Sequence, residues 1–100
     1  MTQQEFFKLQ DSLMKAEYRS KQLASEFLQL FNADRQTMQF KVWSDLPGDR
    51  RFLYFSLDLA DQGLNDITAN FLQALAEYYT AKMMDAATER ASIESQHSPD

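Results

Sequence analysis

The sequence predicts an α+β domain in the order helix, strand, strand, helix, and three observations carry that prediction. Apolar residues recur every three to four positions from Phe6 to Leu30 and again from Ile67 to Ala86, the period of an amphipathic helix. Between those stretches, residues 37–59 alternate apolar and polar side chains around Pro47-Gly48, the pattern of a β-hairpin. A content of 2 Gly and 2 Pro in 100 residues favours long regular elements over loops.

The first helix has a well-marked start. Thr2 can cap it, Glu5 three residues later completes a capping box, and Met1 is placed to pack on Phe6 as a hydrophobic staple. Phe6, Leu9, Leu13, Ala16, Leu23, Phe27 and Leu30 form its stripe, with Ser20 as the polar interruption. Phe7, Met14, Ala24, Leu28 and Phe31 widen that stripe beyond a narrow coiled-coil seam. If the helix breaks, Tyr18-Arg19-Ser20 is the place. The tract Asn32-Ala33-Asp34-Arg35 ends it, with Asn32 as the residue that tolerates a left-handed stop.

In the first strand Met38, Phe40 and Val42 share one face, and Gln39, Lys41 and Trp43 share the other. In the second, Leu53, Phe55, Leu57 and Leu59 oppose Phe52, Tyr54, Ser56 and Asp58. Setting Val42 opposite Leu53, Phe40 opposite Phe55 and Met38 opposite Leu57 collects the aliphatics on one side and puts Trp43 beside Phe52. A slip of one residue would scramble both faces, so the register is well specified. Pro47 and Gly48 suit the central positions of a type II turn.

The second helix is expected to start between Asp61 and Asn65, where Asp and Asn supply caps. Ile67, Phe71, Leu75, Tyr78, Tyr79, Met83 and Ala86 trace its apolar stripe. Past Ala91 the periodicity fades, which predicts a single domain over residues 1–91 and a mobile polar tail over 92–100. Two long helices and a lone hairpin cannot easily enclose their own apolar faces, and an isolated hairpin leaves two unpaired edges. Completion by dimerisation is expected, through a four-helix packing or a four-stranded sheet.

Composition narrows the function classes. The chain has no cysteine, which excludes disulfides and thiolate metal sites and suits a reducing compartment. No apolar run approaches the roughly 18 residues of a membrane span, and MTQQEFFKLQDS lacks the parts of a secretory signal. A soluble, cytoplasmic protein is expected. The net charge of −5 is uneven: residues 2–32 sum to zero, residues 33–51 to +1 and residues 52–100 to −6. That balance gives no broad positive field for nucleic acid, except locally at the hairpin tip.

Catalytic chemistry is sparsely provided. His97 is the sole histidine and falls in the expected tail, where nothing would hold it against a nucleophile. Asp85 and Glu89, four apart on the second helix, read as a solvated face, and Asp58 and Asp61 as a capping cluster. No glycine pattern cradles phosphate. The pairs Tyr78-Tyr79 and Met83-Met84 read as core packing, one member of each in the stripe and the other at its border. No enzyme activity, cofactor or metal is expected.

The hairpin's second face is the candidate site. Trp43, Phe52 and Tyr54 occupy a side that should be polar, accompanied by Lys41, Arg50 and Arg51. Either one of the chain's own helices folds over these aromatics, or another molecule covers them. Trp, Tyr and Arg are the residues that most often anchor protein interfaces, so the leading expectation is a non-enzymatic protein-binding module: a small acidic regulator, adaptor or inhibitor. The alternative is a nucleic-acid-associated protein. It would stack bases on the same aromatics, or mimic nucleic acid with its acidic helix, as an inhibitor of a host nucleic-acid enzyme encoded by a mobile element would.

Overall fold

A computed structural model describes residues 1–97; the side chains of Ser44, Asp45, Leu46, Asp49, Arg50, Arg51 and Leu53 lie outside the described residues, as do positions 98–100. Helix α1 spans Gln3–Asn32, strand β1 Thr37–Leu46, strand β2 Asp49–Asp58 and helix α2 Gln62–Gln96. This is the helix, hairpin, helix order that the hydrophobic periods predict.

Local signals act where the sequence puts them. The Thr2 Oγ1 accepts from the Glu5 backbone N–H at 3.1 Å and the Glu5 carboxylate accepts from the Thr2 N–H at 3.4 Å, so the capping box is complete. Helix α1 runs unbroken through Tyr18-Arg19-Ser20. Its far end differs from expectation. Asn32 does not adopt a left-handed stop: among the described residues no non-glycine has positive φ, and the C-cap is Ala33 in an extended conformation. The Arg35 guanidinium curls back instead and donates to the Leu30 and Phe31 carbonyls. A cation with several N–H donors satisfies the orphaned carbonyls and the negative end of the helix dipole together.

The helices pack antiparallel along a seam that alternates steps of three and four. On α1 the seam runs through Phe6, Gln10, Leu13, Glu17, Ser20, Ala24, Phe27 and Phe31, with Leu9 and Leu23 half-buried beside it. The register is fixed by contacts along its whole length. His97 stacks on Phe6 with ring centroids 3.9 Å apart, Gln10 donates to Glu94 at 2.8 Å, Arg90 pairs with Glu17 at 3.1 Å, and Phe27 stacks on Tyr79 at 5.8 Å.

Two expectations are corrected here. Leu75, Tyr79, Met83 and Ala86 of the expected α2 stripe lie on the covered side, but Ile67, Phe71 and Tyr78 are exposed, and Thr68, Leu72 and Ala76 are buried in their stead. A shift of one residue turns a helix by about 100°. Apolar residues spread widely enough around α2 that its sequence suits either phase. The polar segment expected from residue 92 is instead helical through Gln96, because Ile93 prolongs the seam and Gln10 and Phe6 hold Glu94 and His97.

The hairpin has the expected register, with Val42 opposite Leu53, Phe40 opposite Phe55, Met38 opposite Leu57 and Trp43 opposite Phe52. Gly48 carries φ +84°, as the third position of a type II turn requires. The mirror-image turns common in hairpins need positive φ at the preceding position, which the Pro47 ring forbids. The base is tied down by Leu59, buried, whose N–H donates to the Gln36 carbonyl at 3.0 Å, and by Phe40, whose ring meets Phe71 edge-on at 6.1 Å. Among the described residues, backbone contact between hairpin and helices joins β2 to α2 alone, so the hairpin is an arm rather than a layer.

The resulting molecule is open. Its radius of gyration is 19.4 Å, against about 13 Å for a compact chain of this length. It exposes 7969 Å² at 11.7 kDa, where a compact monomer of that mass exposes about 5,900 Å². No described helix is long and apolar enough to cross a membrane.

Candidate interaction surface on the hairpin arm

Strand alternation puts Lys41 and Trp43 on one face of β1, and the register sets them directly opposite Tyr54 and Phe52. The Trp43 and Phe52 rings sit 4.6 Å apart at 51°, a tilted aromatic pair. The Lys41 ammonium stands 5.9 Å from the Tyr54 ring centre, within range of a cation–π contact. The structure thus brings together Lys41, Trp43, Phe52 and Tyr54. The Arg50 and Arg51 side chains lie outside the described residues.

The chain's own helices do not cover this face. Trp43 is 78% exposed, and Phe52 and Tyr54 are each about half exposed. The opposite face is open near the tip as well: Phe40 and Phe55 stack at 5.2 Å and are half-buried, but Val42, one pair further out, is 48% exposed. Val42 therefore belongs with the open surface, which its assignment to the aliphatic side did not reveal. The available signal was length. Ten residues per strand reach about 33 Å, well past the base at which Phe71 meets the arm.

The other singled-out residues take structural places. The Asp61 carboxylate caps α2 by accepting from the Leu64 N–H at 3.1 Å, and Asp58 accepts from the Ala60 N–H at 3.0 Å. Asp85 and Glu89 are exposed on α2. Tyr79 and Met83 are half-buried, whereas Tyr78 and Met84 point outward, so each pair divides between seam and surface. Lys82 lies 5.2 Å from the Tyr78 ring centre, and its ammonium is raised above the ordinary lysine range, chiefly by a hydrogen bond with the Tyr78 side chain. His97 is packed against Phe6 beside Met1, Ile93 and Gln96 rather than lying loose in solvent. No group of three metal-ligating side chains occurs among the described residues. What the arm offers chemically is an aromatic platform with a cation at its edge.

No family model, curated protein or solved structure matches this chain.

Proposed function

We propose that this chain is a non-enzymatic protein-interaction module, a small acidic regulator, adaptor or inhibitor that grips a partner protein with its hairpin arm. The observation that supports this reading is the open platform of Trp43, Phe52 and Tyr54 on a strand pair whose register is fully specified. Burying such side chains against a partner contributes about 1.5–3 kcal/mol each before the costs of association are subtracted. Lys41 on the platform, with Arg50 and Arg51 near the tip in sequence, steers the arm toward an acidic patch, while the acidic α2 half repels partners of its own sign. The cysteine-free composition suits work in a reducing cytoplasm.

The sole tryptophan makes the reading testable by fluorescence. Emission from the free chain should be that of a solvated indole and should shift to the blue when a partner captured from the native source is added. Trp43→Ala should abolish that capture, and salt should weaken it only mildly. Blue-shifted emission from the free monomer, or undiminished capture by Trp43→Ala, overturns the proposal. Binding to single-stranded nucleic acid that falls steeply with salt and is lost in Arg50→Ala or Arg51→Ala would replace it with nucleic-acid recognition.

A further inference from the structure

The helix pair has a second open face, distinct from the arm. Ala24, Leu28 and Phe31 of α1 and Ala76, Thr80 and Met84 of α2 line a groove of about 420 Å³ between the helices. Thr80 follows Phe71 by nine residues, which is two and a half turns at 3.6 residues per turn. The groove therefore lies on the side of α2 turned away from the hairpin base, where Phe40 meets Phe71. Leu28 and Met84 are both more than half exposed there.

We infer that this groove is covered by the same groove of a second copy, giving a twofold-symmetric dimer in which four helices share one core. Three observations favour a second copy over another occupant. The first is area. The chain exposes 7969 Å², roughly 2,000 Å² more than a compact monomer of its mass. A standard interface removes about 800 Å² from each partner. The excess over the whole molecule is larger than one such interface removes from a partner.

The second observation is shape and charge. The groove sets a floor of covered residues, Ala24, Phe31 and Ala76, beside the projecting Leu28 and Met84. A patch carrying both knobs and hollows can be complementary to itself across a twofold axis. Its single charged lining residue is Glu77, and interface centres are poor in charge.

The third is permanence. Fully buried side chains are few in the helix pair, and two helices side by side make one layer where stable domains have at least two. Cover needed for folding must be present whenever the chain is made, and a second copy meets that condition.

Sedimentation equilibrium across micromolar concentrations should give twice the 11.7 kDa chain mass. Trp43→Ala should keep that mass, because the arm is not part of this interface. Leu28→Glu and Met84→Glu should halve it or unfold the chain. Thiol protection decides the case even where those variants unfold, since the background is cysteine-free. Alkylation of Thr80→Cys should slow at least tenfold between dilute and concentrated protein, and that of Asp85→Cys, more than a third of a turn away around α2, should not change. A folded monomer at all concentrations overturns the inference. So does a dimer that Trp43→Ala dissociates, or a Thr80→Cys thiol that reacts equally fast throughout. Of these results only a dimer that Trp43→Ala dissociates bears on the arm, since it would make a second copy the arm's occupant; the others leave the arm's partner untouched.

Discussion

The helix pair and the hairpin arm are specified with similar clarity but stabilised very differently. Along the helices a three-four seam buries Phe6, Ser20, Thr68, Leu72, Ala76 and Ala86, with ion pairing and ring stacking holding the register from end to end. In the arm, register and turn are just as definite, yet no described residue of β1 or β2 is buried. A strand pair can thus be told how to form without being given anything to pack against. Apolar side chains in the helix seam serve folding. Those toward the tip of the arm, Val42, Trp43, Phe52 and Tyr54, are about half exposed or more and pack against neither helix.

Leu72, in the helix seam, has no exposed surface. Leu72→Ala should lower the unfolding free energy by about 2–5 kcal/mol, read from urea denaturation followed by helical circular dichroism. A loss below about 1 kcal/mol would mean that the helices do not share a core at that level. Thr68, one turn earlier, sharpens the same point with the opposite sign. It is 1% exposed, and its hydroxyl has no hydrogen-bond partner among the described residues. Thr68→Val removes a desolvated, unpaired group and should stabilise by about 1 kcal/mol. Thr2→Ala should cost about 1 kcal/mol by removing the cap, and the loss should appear as fraying of the Phe6 end of α1 in amide exchange.

What the sequence made legible follows from the range of each interaction. Thr2 and Glu5 are three residues apart, Pro47 and Gly48 are adjacent, and the strand register follows from the alternation of side chains two residues apart. Each is decided within a few positions, and each stands where the periodicity puts it. The rotational phase of α2 is not local. Leu75, Tyr79, Met83 and Ala86 stand on the covered side as expected, but Ile67, Phe71 and Tyr78 make as good a continuation of that stripe as Thr68, Leu72 and Ala76 until α1 selects between them. The end of α2 is equally nonlocal, since it depends on a hydrogen bond between residues 84 positions apart and on a Phe6 ring at the other end of the chain. Arg35 stands in the tract expected to end α1, but the sequence assigns the stop to Asn32, because a charged side chain reads as surface and its return to the Leu30 and Phe31 carbonyls is not visible in the local pattern. Of the candidate site, the composition of the platform was legible in the strand alternation. Its openness was not, because that depends on where the helices lie.

The smallest global effect separates the two regions most cleanly. Gly48 has φ +84°, and a Cβ built on it meets nothing within 4 Å. Gly48→Ala is therefore opposed by backbone strain alone, on the order of 1 kcal/mol for a residue held in the left-handed region. If the arm folds on the helices without supporting them, that strain is confined to the arm. Amide exchange along β1 and β2 should quicken several-fold and the Trp43–Phe52 contact should loosen. The urea midpoint of the helix pair should move by no more than a substitution at an ordinary surface position does, within about 0.5 kcal/mol. A matching drop in helix stability would show that the arm belongs to the cooperative core, and its aromatics would then be needed for folding as well as displayed for a partner.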